Sequence, residues 1–153
     1  MKKSVLLIAI MLFIAGIAGA QSAERVTEIL QEKQVTYGEI AYLAASELNL
    51  IQANASYDDA VKVAVNEGIL KGNPASTDPI NYKDLAYACC KTWNISGSLF
   101  YKITKSPRYA FKQLQAIGII PANADPSQKV SGRNALNIIS ACIESFESEG
   151  DAE

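Results

Sequence analysis

A short pattern that occurs three times limits the folds open to this chain more than any bulk property does. Each copy is an aliphatic residue, a helix-capping residue, two variable positions, an acid or its amide, and then an apolar helical stretch. The copies are Val35-Thr36-Tyr37-Gly38-Glu39-Ile40-Ala41-Tyr42, Ile80-Asn81-Tyr82-Lys83-Asp84-Leu85-Ala86-Tyr87 and Val130-Ser131-Gly132-Arg133-Asn134-Ala135-Leu136-Asn137. Thr36, Asn81 and Ser131 are side chains that accept a hydrogen bond from an unpaired amide of a first helical turn. Glu39 and Asp84 are placed to reach back to the amide of the capping residue, and Asn134 to do so more weakly. Three capping boxes in register predict three equivalent helix starts.

The second and third copies also share what precedes them, at a constant offset of 50 residues: Ala60 with Ala110, Gly68 with Gly118, Ile69 with Ile119, Asn73 with Asn123. Each unit therefore reads as helix, glycine stop, loop, helix. The expected units span about 22–48, 56–94 and 106–146, within one domain of 21–147. In the second unit Ser56 caps a helix that buries Ala60, Val63, Ala64 and Ile69. In the third, Ser106 caps, Pro107 takes the first helical position, and Ala110, Phe111, Leu114 and Ile117 form the apolar face. Gly68 and Gly118 suit the left-handed residue that closes a helix. The following helices carry Leu85, Ala86, Cys89, Thr92 and Trp93 on one face, and Ala135, Leu136, Ile139, Cys142, Ile143 and Phe146 on the other unit's equivalent. The first unit has a shorter leading helix near 23–32, with Val26, Ile29 and Leu30 inward. No such pair buries its apolar stripe alone, so the three must pack together. The expected architecture is all-α, as a compact trefoil-like bundle or, second, a short open solenoid.

The stretch Ala64-Val65-Asn66-Glu67-Gly68-Ile69-Leu70-Lys71-Gly72-Asn73-Pro74, followed by Ile80-Asn81-Tyr82-Lys83-Asp84-Leu85-Ala86, resembles one repeat of the S-layer homology domain. That family's pattern is a helix ending in Gly-Ile-x-x-Gly, a loop, and Ile-Thr-Arg-Ala-Glu opening a second helix. The resemblance covers most of 23–146. It implies a pseudo-threefold prism of three repeats that binds cell-wall polysaccharide, with the arginine of Thr-Arg-Ala-Glu on the anionic sugar. Here the matching positions are Tyr37, Tyr82 and Gly132. Lys83 and Arg133 stand one place later, about 100° around the helix.

Residues 1–20 read as a secretory signal of bacterial style. Lys2 and Lys3 precede an apolar run from Val5 to Ile17, and Ala18-Gly19-Ala20 offers a small-residue cleavage site. Val5 to Ala20 is 16 residues, short of the ~20 that a membrane-spanning helix needs. Cleavage would leave no membrane span, a periplasmic or extracellular chain, and a formal charge of −4 in place of −2. That mild acidity argues against a nucleic-acid partner. Residues 148–153 read as a solvated acidic tail.

The chain contains no histidine, which removes the commonest general base and metal ligand. No nucleophile–base pair, metal set or cofactor motif is visible, so the expected protein is not an enzyme and uses no cofactor. Tyr37 and Tyr82 open equivalent helices, where they either stack on a sugar ring or cover seams between units. Lys83, Arg133, Lys105 and Arg108 either line an anion-binding groove or lie on solvated faces. Cys89 and Cys142 fall on inward faces of equivalent helices, as a candidate disulfide or as buried free thiols, with Cys90 an alternative partner. The expected function is a non-enzymatic structural or protein-binding module of the cell envelope, or of a periplasmic or surface assembly. Its partner is then an envelope or periplasmic protein, or a second copy of itself. The alternative is a module that binds cell-wall or peptidoglycan-linked glycan.

Overall fold

A computed structural model describes residues 23–95 and 106–150, with side chains to 145. The expected signal at 1–20, Lys105 and residues 151–153 of the expected acidic tail lie outside the described residues. Among the described residues six helices follow in order: α1 at 23–31, α2 Tyr37–Glu47, α3 Tyr57–Asn66, α4 Tyr82–Thr92, α5 Pro107–Ala116 and α6 Gly132–Gly150. Among the described residues there is no strand, only the isolated bridges Thr36–Pro79 and Asn81–Lys129. No helix among them is long and apolar enough to cross a membrane. The last helix continues past the unit end expected at 146.

Thr36, Asn81 and Ser131 each accept the expected bond, but only the first box closes, because the Asp84 and Asn134 side chains turn to tyrosine hydroxyls instead of reaching back. Thr36 and Glu39 make a complete capping box: the Glu39 amide donates to Thr36 Oγ1 at 3.3 Å, and the Thr36 amide donates to Glu39 Oε2 at 2.7 Å. Asn81 Oδ1 accepts from the Asp84 amide at 3.0 Å, and Ser131 Oγ from the Asn134 amide at 3.4 Å. Ser106 departs from expectation. It holds the capping position, with Pro107 following it, but makes no side-chain cap bond.

The earliest amides of these helices find partners far away in sequence. Tyr37 and Gly38 donate to the carbonyls of Asp78 and Ser76, each at 2.9 Å. Tyr82 and Lys83 donate to those of Gln128 and Pro126, each at 3.1 Å, and Gly132 to that of Glu32 at 2.9 Å. A helix cannot satisfy these donors itself, so each such bond contributes about 1 kcal/mol while fixing where the next loop lies. Just ahead of the caps, Val35 donates to the Val130 carbonyl (2.8 Å), Ile80 to that of Val35 (2.9 Å) and Val130 to that of Ile80 (3.3 Å). The three residues thus bond head to tail in a closed ring, with none of them exposed.

The 50-residue offset recurs in the backbone. Ile69 and Leu70 both donate to the Ala64 carbonyl, and Ile119 and Ile120 both donate to that of Leu114. The chain reverses through Gly68 (φ 70°) and Gly118 (φ 79°), a region costly for any side chain. This explains why Ile117, expected to point inward, is 48% exposed: it is the cap residue before the reversal, and its counterpart at the same offset is the exposed Glu67. Val26 and Leu30 are likewise exposed, leaving Ile29 as the buried anchor of α1, and Val63 is half-buried while Val61 is buried.

Helix α4 occupies the centre, with Leu85 and Ala86 fully buried and only Lys83, Asp84 and Lys91 partly open. Burial of a residue such as Leu85 stabilises by about 2 kcal/mol. The closest helix partners are α2 with α3 and α4 with α5, each pair spanning two of the sequence units; α4 also meets α2 and α6. The loops 67–81 and 117–131 supply carbonyls to neighbouring helix starts.

Candidate functional site

Two seams converge on α4, and tyrosines at helix starts organise both. At the α2–α4 seam the Tyr37 hydroxyl donates to Asp84 Oδ2 at 2.6 Å. Burial first, and then this hydrogen bond and the charge of Asp84, push the Tyr37 pKa well above the ordinary phenol value. At the α4–α6 seam Asn134 Nδ2 donates to the Tyr82 hydroxyl at 3.0 Å. Both contacts therefore join the first residue of one helix to the third residue of the helix two further along the chain, counting the described helices. Gly132 holds the corresponding position on α6 and has no ring to offer. A Cβ there would overlap the Ile29 carbonyl at the end of α1, so only glycine admits this approach. Glu39, without a tyrosine to meet, closes on Thr36 instead.

The seams differ next to the tyrosines. Beside α4 and α6 lies a groove of about 220 Å³, lined by Tyr82, Ile119, Pro121, Asn134, Asn137 and Ile138. Its lining carries no charged side chain. It combines one aromatic ring, two carboxamides and an apolar floor. The 50-residue offset places Lys71 opposite Pro121, Asp84 opposite Asn134 and Tyr87 opposite Asn137. At the α2–α4 seam the Lys71 ammonium sits over the Tyr87 ring, 5.1 Å from its centroid. A cation–aromatic pair thus occupies the position that a proline and an asparagine leave open at the other seam.

Of the sequence candidates, Tyr82 lines the groove. Tyr37 is half-buried at the other seam, committed to Asp84. Lys83 is half-buried, Arg133 and Arg108 are exposed, and none of these three belongs to the groove lining. Pro121, Asn137 and Ile138 were not singled out from sequence, although comparing residues at the constant offset would have marked Lys71/Pro121 and Tyr87/Asn137 as changed. A second, open cleft of about 390 Å³ is bounded by Glu24, Arg25, Glu28 and Asn54. Its Arg25 guanidinium stacks on Tyr42 (4.3 Å) and Tyr57 (5.0 Å), tying α1 to α2 and α3. Among the described residues no group of three or more His, Cys, Asp or Glu is placed to hold a metal ion.

Cys89, Cys90 and Cys142 are free and buried, so the candidate disulfide is not formed in this structure. No protein-family model and no curated protein matches this chain.

Proposed function

We propose that this chain is an exported, non-enzymatic binding module of the cell envelope, built as three helical repeats closed around a pseudo-threefold axis in the manner of S-layer homology domains, and that it takes a neutral saccharide in the α4–α6 groove. The closed ring of hydrogen bonds among Val35, Ile80 and Val130 supports closure over an open solenoid, whose end units would leave such donors unpaired. The groove itself carries the ligand reading. A ring beside two carboxamides matches the alternation of apolar faces and hydroxyls on a sugar, and the absence of charge disfavours an acidic glycan there. The arginine that would contact an anionic sugar in the family is missing, which agrees with a neutral ligand.

A second reading is contact with an envelope or periplasmic protein, or with another copy of the chain. It draws on the exposed apolar side chains Val26, Leu30, Leu48, Leu50 and Ile117. Co-sedimentation of the purified protein with the organism's envelope, before and after protease strips its proteins, separates the two. Retention on the stripped wall is the outcome expected for a saccharide site. Binding that disappears with the stripped proteins would replace it with protein contact.

A further inference from the structure

Beside α1 lies a polar cleft whose walls are set by aromatic stacking. It measures about 390 Å³ and is bounded by Glu24, Arg25 and Glu28 of α1 and by Asn54 of the loop 48–56. Its one cation is held in place. The Arg25 guanidinium lies over Tyr42 at 4.3 Å and over Tyr57 at 5.0 Å, and those two rings meet edge to face. Tyr42, only 2% exposed, also donates from its hydroxyl to the Ala53 carbonyl at 2.8 Å, which fixes the residue before Asn54. One buried tyrosine thus positions both walls. Stacking occupies the face of a guanidinium and leaves the N–H groups along its edge to other partners. Glu28 stands three residues from Arg25, where an ion pair forms readily on a helix, yet among the described residues Glu24, Arg25 and Glu28 make none. Glu24 and Glu28, four residues apart and both exposed, repel each other along one face of α1.

We propose that this cleft is a binding site for a free diamino carboxylic acid such as lysine, with the carboxylate on the edge of Arg25 and the ammonium groups at Glu24 and Glu28. The charges are complementary: one cation and two anions on the protein face one anion and two cations on the ligand. A guanidinium edge takes a carboxylate through two parallel N–H bonds. An ammonium between Glu24 and Glu28 relieves their mutual repulsion. The Asn54 carboxamide both donates and accepts, so it can serve either end of the ligand. A simple carboxylate would meet two like charges here, and a simple diamine would leave the stacked guanidinium facing a cation. Only a ligand with both kinds of group answers the whole cleft. None of its residues lines the α4–α6 groove, so the inference is independent of what that groove binds.

The test titrates the whole protein with L-lysine at constant ionic strength and follows its amide resonances by NMR. Saturable shifts centred on Glu24, Arg25, Glu28 and Asn54 are expected. Cadaverine, which lacks the carboxylate, and hexanoate, which lacks both amines, should each bind at least ~10-fold more weakly. The exposed double variant Glu24→Gln, Glu28→Gln should weaken lysine binding at least ~10-fold without lowering the melting temperature. Arg25→Met should abolish it. If that variant loosens α1, the comparison of lysine with cadaverine on the wild type tests the guanidinium alone. Absence of saturable shifts in the cleft would overturn the proposal. So would either analogue matching lysine, because attraction to a single charge would then account for the binding. Undiminished lysine binding by the glutamine double variant would overturn it as well.

Discussion

The α2–α4 and α4–α6 seams share a plan and differ in what surrounds it. At the first, a tyrosine meets a carboxylate, and Lys71 lies over Tyr87 alongside. At the second, a tyrosine meets a carboxamide, and the neighbouring positions fall back to leave a groove. The first seam has committed its polar groups to one another. The second keeps Asn137 and part of Asn134 available to a ligand. Three differences at one offset, Lys71/Pro121, Asp84/Asn134 and Tyr87/Asn137, thus separate a structural joint from a candidate binding site on the same scaffold. The third corner, at Gly132, represents a further solution, with the side chain removed so that backbones touch.

That corner gives the largest expected effect. Gly132→Ala forces its Cβ into the Ile29 carbonyl and must part α6 from α1, at a cost of about 3 kcal/mol or more, read as a fall in denaturation midpoint. A midpoint within experimental error of the wild type would mean that α1 is a dispensable appendage.

Next comes the pairing at each seam. Asp84→Ala strips the partly buried Tyr37 hydroxyl of its acceptor and should cost about 2 kcal/mol, whereas Asn134→Ala, at an exposed position, should cost about 0.5 kcal/mol. Equal losses in chemical denaturation would erase the distinction between a structural and an open seam.

A smaller effect should follow alkaline pH. The folded chain holds the Tyr37 proton more tightly than the unfolded chain does, whose phenol titrates near 10.0. The stability so contributed is complete below pH 10 and fades as pH rises beyond it. Melting temperatures measured from pH 8 upward should fall less steeply for Tyr37→Phe than for the wild type. Parallel curves would show that the Tyr37–Asp84 bond does not matter to folding.

Much of the fold was legible because helix signals are local. Thr36, Asn81 and Ser131 cap as their residue types require, and Gly68 and Gly118 reverse the chain where periodicity ends. The inward face of α4 also read correctly. On α6 Ala135, Ile139 and Cys142 are buried while Leu136 and Ile143 are half-buried, Ile138 was missed, and the side chain of Phe146 lies outside the described residues. What escaped depends on partners distant in sequence. Periodicity set Ile117, Val26 and Leu30 on apolar faces, but burial there needs a neighbour that the packing does not bring. Ser106 looked like a cap, yet its hydroxyl forms no bond to the turn after Pro107. The groove escaped for a different reason. Single residues such as Asn137 and Pro121 carry no chemical signature, and only their contrast with Tyr87 and Lys71 reveals the opening. The basic residues Lys83, Arg133 and Arg108 drew notice by charge, which says nothing about whether side chains converge.

The most direct test is to rebuild the first seam inside the second. The double variant Pro121→Lys, Asn137→Tyr places a cation–aromatic pair where the groove lies, at positions exposed enough that stability should change by less than about 1 kcal/mol. Its affinity for envelope stripped of protein should fall at least ~10-fold, with the melting temperature close to that of the wild type. Undiminished binding by this folded variant would place the ligand elsewhere and contradict the assignment of the α4–α6 seam.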